Sequence, residues 1–150
     1  MSVAGGSVRA NLLLCDAAQV VGDKLYILGG GWSYLWIPAP GTPVSFAAAI
    51  DFILPWDFAN RQLNIVARVV TEDGEDVIPD GGEGPVRAEG RLVAGRAPTA
   101  RAGADLHVPL VIPFPPIVLV QGGYVFEVLV DNESITRTGF QLSVLGPQPG

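Results

Sequence analysis

Residues 11–38 have the sequence NLLLCDAAQVVGDKLYILGGGWSYLWIP. Two apolar runs flank the dipeptide Gly22-Asp23. Glycine and aspartate tolerate positive φ, and such residues are typical of the tight turn of a β-hairpin. Residues 29–31 are all glycine, which supplies positive φ or close backbone approach at a bulge or a corner between sheets. This stretch therefore predicts a β-hairpin that turns a corner into an aromatic strand.

The rest of the chain alternates with a period of two, which is typical of strands with one buried face. The alternation is clear in residues 44–54, 63–71, 86–94, 106–112, 124–130 and 140–144. The sequence predicts an all-β fold, an antiparallel two-sheet sandwich of about eight or nine strands. A jelly roll is the preferred topology, and an immunoglobulin-like sandwich is second.

Turn residues and prolines divide these strands. Residues 131–134 (DNES) and 72–75 (EDGE) predict two more hairpin turns. Four prolines in residues 109–116 predict an edge strand or an irregular crossing, because proline cannot donate to a central ladder. Residues 78–84 and 95–103 predict loops. We expect residues 1–150 to form one domain with short tails at 1–7 and 146–150.

Composition argues against several classes of protein. The net charge is −6, and the nearest thing to a basic stripe, Arg87, Arg91, Arg96 and Arg101, is interleaved with Glu89 and glycine, so we expect no nucleic-acid partner. No apolar run is long enough for a membrane helix. The run that follows Arg9 is too short for a signal peptide, so we expect no membrane partner and a cytoplasmic protein. One cysteine excludes an internal disulfide.

Catalytic and metal-binding candidates are few. His107 is the sole histidine, which excludes a multi-histidine zinc site within one chain. Cys15 lies inside an apolar run, where burial makes a thiol inert. Asp16 and Asp51 could be paired carboxylates, although nothing in the sequence brings them together. The glycine run lacks the rest of a phosphate-binding motif, and the acids of residues 72–83 lack calcium-loop spacing. We expect no cofactor, no metal and no enzymatic activity.

The aromatic residues are the candidate site. Trp32, Tyr34 and Trp36 have a spacing of two, which predicts that they share one strand face, and Trp56 lies in a turn after Pro55. Such rings can pack in the core, anchor a protein interface or stack on sugar rings. The sequence leaves these three roles open.

Residues 11–32 also resemble the opening of a bacterial family of small β proteins known only as a domain of unknown function. The likeness rests on NLLLCDA at residues 11–17, GDKL at 22–25 and GGGW at 29–32. The resemblance implies a compact β domain of bacterial origin, and it implies no activity and no site residues.

These observations lead to two functional hypotheses. The first is a non-enzymatic structural or interaction module that associates with itself as a homo-oligomer or larger assembly, or with another protein. The alternative is a carbohydrate-binding jelly roll that uses surface tryptophan and tyrosine rings.

Overall fold

The computed structural model describes residues 7–79, 81–82 and 84–145. Within them the chain forms nine strands and a short 3₁₀ helix at Trp56–Phe58. The strands are β1 (Arg9–Val21), β2 (Lys24–Gly30), β3 (Tyr34–Ile37), β4 (Val44–Leu54), β5 (Leu63–Thr71), β6 (Arg87–Leu92), β7 (Leu106–Ile117), β8 (Gly122–Val130) and β9 (Glu133–Val144). The predicted all-β class is confirmed. Of the expected tails, Ser7 alone lies within the described residues.

The strands form two sheets that pack face to face, which confirms the predicted sandwich. One sheet has the order β2-β1-β4-β7 and the other has the order β3-β9-β8-β5-β6. Alternate residues of β4 and β8 fill the space between them, led by the fully buried rings of Phe46, Phe52 and Phe126. Full burial of such a ring contributes roughly 1.5–3 kcal/mol, so this interface is the main source of stability.

The topology is the immunoglobulin-like one, and our preference for a jelly roll was wrong. β1, β4 and β7 are neighbours in the order of strands A, B and E, while β9, β8 and β5 follow the order G, F and C. β3 pairs with β9 in parallel, whereas the other paired strands are antiparallel. Tyr124 lies near the start of β8 and donates its hydroxyl hydrogen to the carbonyl of Val120, as in a tyrosine corner. Period-two alternation marks strands but carries no information on their order.

The second half of β1 and most of β2 form a hairpin that we call the arm (residues 16–28). The first half of β1 pairs with β4, and its second half pairs with β2 instead. Leu25 and Ile27 of β2 pack on Ala47 and Ala49, which lie on the outer face of β4. The arm therefore folds over its own sheet, and this explains why β4 is buried on both faces.

Glycines form the bend at the base of the arm, as predicted. Gly29 has φ +59° and Gly31 has φ +85°, which are backbone conformations that residues with a side chain rarely adopt. A Cβ on Gly30 would lie 2.6 Å from Cγ2 of Ile27. The amide of Gly31 donates to the carbonyl of Leu14 at 2.9 Å. From this corner the chain crosses to β3 in the other sheet.

The remaining turns agree with their residue types. Gly22 and Asp23 have φ of 56° and 59° at the tip of the arm, and Asp131 and Asn132 have 48° and 68° between β8 and β9. These are the signs of tight hairpin turns. Residues 72–74 form a turn after β5, but the return is a single bridge between Val70 and Asp76 before β6 begins. The four prolines lie in β7, an edge strand, as predicted.

None of the helices in the described part of the chain is long and apolar enough to cross a membrane.

Candidate functional site

The exposed aromatic pair of β3 is the first candidate site. The rings of Tyr34 and Trp36 stack with centroids 6.1 Å apart and planes 12° from parallel. Their exposed fractions are 58% and 57%. Both rings point away from the sandwich, because the alternate residue Leu35 packs on the core and Ile37 is buried. The stack is therefore accessible to a ligand or a partner.

Trp32 does not share this face, so the prediction of a three-ring row was wrong. It precedes β3 and packs edge-on against Phe46 and Phe140, with centroids 6.0 and 6.2 Å apart. The positive φ of Gly31 interrupts the strand alternation on which the prediction depended. Trp32 is partly buried against the core, and its buried Nε1 has no hydrogen-bond partner among the described residues.

Trp56 is also separate from the stack. It lies in the 3₁₀ helix and packs against the core. The guanidinium of Arg96 lies 3.9 Å from its ring centroid and donates to its backbone carbonyl at 2.9 Å. Because Arg96 covers this ring face, the face is not open to a sugar or a protein.

Among the polar groups with catalytic potential, His107 and Asp51 are in contact, while Asp16 and Cys15 lie apart from them. Asp51 pairs in register with Asn11, five residues before Asp16 on β1, which is a separation of about 16 Å along a strand. His107 Nδ1 lies 3.2 Å from Oδ2 of Asp51. On β4, the partner of His107 is Ile53 and the partner of Cys15 is Ala47, so His107 and Cys15 are separated by six residues along that strand. Burial raises the pKa of the Cys15 thiol, and the charge of Asp16 raises it further. Residues 7–79, 81–82 and 84–145 contain no group of three potential metal ligands.

A groove lies beside the aromatic stack on the outer face of the five-stranded sheet. Its volume is about 280 Å³, and its lining includes Ser33, Tyr34, Glu72 and Gln141. Gly123 pairs with Gln141, and Gln141 pairs with Tyr34. The carboxylate of Glu72 occupies the space where Gly123 would carry a Cβ. A side chain at this position would displace the flexible Glu72 carboxylate from it.

An ionic row crosses the same sheet face. Arg87, Arg68, Glu127 and Arg137 are successive neighbours on β6, β5, β8 and β9. Burial alone would raise the pKa of Glu127, but hydrogen bonds from Ser134 and Arg68 and the charges of Arg68 and Arg137 hold it below its ordinary value. Arg87 forms a separate pair with Glu89 at 2.7 Å. Arg68 and Arg87 are thus each paired with a carboxylate.

The outer face of the arm is a surface that our sequence analysis missed. Val21, Tyr26 and Leu28 point away from the sheet, and Leu28 is 71% exposed. Their neighbours Leu25 and Ile27 face inward. A signal was present in the sequence, because β2 is apolar on both of its faces while a solvated edge strand should be polar on one.

The comparisons with known proteins place the chain in a family. A chain of the solved structure described as Pseudomonas fluorescens alkylpurine DNA glycosylase AlkC bound to DNA containing an abasic site analog is 14% identical to it, with a TM-score of 0.39. That match covers 92% of this chain and 31% of the other, so this chain spans less than a third of its length. No curated protein matches the chain. The model of the family of unknown function DUF6941 matches residues 11–143, and the chain therefore belongs to that family.

Proposed function

We propose that this chain is a non-enzymatic protein-interaction module that associates with a second copy of itself through the arm. The observation that carries the proposal is the difference between β2 and the other edge strands. Proteins blunt the edges of their sheets with short strands, charges or prolines, because an open edge pairs with other chains. Three of the four edges here have such a device, and β2 has none along its length after Lys24.

The three blunted edges use different devices. β3 has only four residues. β6 carries Arg87, Glu89 and Arg91. β7 contains four prolines. In contrast, β2 has seven residues, a single charge at its start and no proline. An edge of this kind is stable in solution when another strand covers it.

The apolar face of the arm adds to the open edge. Tyr26 is 51% exposed, and Val21 and Leu28 lie beside it on the same face of the hairpin. Antiparallel pairing of β2 with β2 of a second copy generates a twofold axis and joins the two four-stranded sheets. The apolar faces of both arms then form one surface. A standard interface buries about 800 Å² per partner, so strand pairing and this face must both contribute.

The non-enzymatic part of the proposal rests on the separation of the polar groups. Cys15, His107 and Asp16 lie at distant register positions, and a nucleophile needs its base within hydrogen-bond reach. We place the protein in the cytoplasm, where a reducing environment keeps thiols such as the single buried Cys15 free.

Light scattering coupled to size exclusion tests the proposal. We expect the wild-type protein to be a dimer or larger at tens of micromolar, and Leu28→Lys to weaken association by about tenfold or more, the cost of losing a central apolar contact. Val93→Lys is the matched control, because Val93 is exposed to a similar degree outside the arm. A wild-type protein that stays monomeric at these concentrations would refute self-association, and equal effects of both variants would refute the role of the arm.

A further inference from the structure

We propose that the groove between Tyr34 and Glu72 binds a neutral saccharide. This binding goes beyond self-association and uses the other sheet, so the two proposals can fail separately. The site consists of the Tyr34–Trp36 stack, the lining side chains Ser33, Glu72 and Gln141, and Gly123 beneath them.

The stack provides an apolar surface of the kind that suits a sugar ring. Sugar rings present flat C–H faces, and aromatic rings at the surface can pack against such a face. Tyr34 lines the groove, and its partner Trp36 lies parallel to it, which holds both rings in one orientation. A pre-ordered pair of rings loses little conformational entropy on binding. The ring of a bound sugar would therefore lie against Tyr34.

Two polar side chains of the groove converge above a glycine. The Glu72 carboxylate lies over Gly123, and Oε1 of Gln141 is 3.2 Å from the point where a Cβ of Gly123 would be. Within the described residues, neither side chain makes a hydrogen bond or an ion pair. A carboxylate accepts only, while a side-chain amide both accepts and donates. Sugar hydroxyls provide the matching donors and acceptors.

Charge and size narrow the class of ligand. The Glu72 carboxylate and the net charge of −6 disfavour phosphate groups. The groove, at about 280 Å³, lies near the lower limit of small-molecule sites. It therefore suits one or two sugar units of a neutral saccharide, and we expect a dissociation constant on the order of a millimolar from so small a contact.

Saturation-transfer NMR with cellobiose on the full chain tests this proposal, with mannitol as a comparison. Mannitol has the hydroxyl groups of a sugar but no ring face. We expect saturation of the cellobiose ring C–H protons and none of mannitol. Tyr34→Ala and Glu72→Gln should each weaken binding about tenfold, whereas Val93→Ala, at an exposed position outside both the arm and the groove, should leave it unchanged.

Each result of this experiment either supports or overturns saccharide binding at the groove. Thermal melting of each variant checks its fold, and Gln141→Ala provides a second groove variant if Tyr34→Ala does not fold. Absence of a cellobiose signal up to about 50 mM, some tens of times the expected constant, would overturn the proposal. Equal saturation of mannitol, or equal loss in Val93→Ala, would overturn it too. If the groove responds to Ca²⁺ and not to cellobiose, its oxygen atoms bind a cation instead of a sugar, and this result would also overturn the proposal.

Discussion

Arg68 donates two hydrogen bonds to Oε1 of Glu127, from Nε at 3.0 Å and from Nη2 at 2.7 Å, across the middle of the five-stranded sheet. Ser134 donates to the other carboxylate oxygen at 2.7 Å. Glu127 is 7% exposed and is the one buried charged residue among those described. Its three hydrogen bonds compensate for the water that it lost on burial.

Replacement of Glu127 by glutamine should lower the free energy of unfolding by about 1–3 kcal/mol, because the partly buried guanidinium of Arg68 loses its counter-charge. Glu89→Gln is the matched control. Glu89 pairs with Arg87 on the same sheet face but is exposed, so we expect a change within about 0.5 kcal/mol. Urea denaturation measures both values. Equal losses in the two variants would contradict the role of burial.

The same carboxylate should make stability depend on acid pH. The folded pKa of Glu127 is below its ordinary value of 4.5, so the unfolded chain takes up the proton first as the pH falls. The stabilisation is complete above pH 4.5 and is lost as the pH falls through the folded pKa. We expect the stability difference between wild type and Glu127→Gln to shrink over that range. A difference that is constant between pH 6 and pH 2, roughly the span of carboxylate titration, would contradict this.

The arm should depend on the absence of a side chain at Gly30. Gly30→Ala places a methyl group 2.6 Å from Cγ2 of Ile27, and overpacking of this kind costs about 1–3 kcal/mol. Gly90→Ala is the control, because nothing lies within 4 Å of its Cβ position. Denaturation of the two variants tests the difference. If Gly30→Ala is as stable as the control, the bend accommodates a side chain and our description of it is wrong.

The thiol of Cys15 should report on the position of the arm. Its side chain is fully buried, it donates to the carbonyl of Ala47, and burial raises its pKa. We therefore expect negligible reaction with a disulfide reagent at neutral pH. Ile27→Ala removes a partly buried inward contact of the arm and should speed the reaction about tenfold, which corresponds to a loss of about 1.4 kcal/mol. Val93→Ala, outside the arm, should not change the rate. A fast reaction of the wild type would show that the arm does not protect Cys15.

Local patterns explain how much of the fold could be predicted. The turn at Gly22 and Asp23 and the turn at Asp131 and Asn132 follow from residues that adopt positive φ. The edge position of β7 follows from proline, which has no amide hydrogen. The choice between two sandwich topologies did not follow, because the parallel pair of β3 and β9 joins segments about a hundred residues apart.

The candidate site was predictable only in part. The alternation of Tyr34 and Trp36 placed them on one face, and the structure agrees. Trp32 was placed on that face too, because the effect of Gly31 on chain direction cannot be seen in residue spacing. Glu72 joined the site through the pairing of β5 with β8, a contact across fifty residues.

The sequence by itself determined the strands, most of their turns and the inward residues of the strands with clear period-two alternation, because these depend on interactions between near neighbours in the chain. The tertiary structure alone decided that the arm covers its own sheet, that Trp32 enters the core and that Tyr34, Glu72 and Gln141 meet at one groove. The physical reason is that side-chain alternation specifies which face of a strand is apolar. Which surface covers that face depends on contacts between segments distant in sequence.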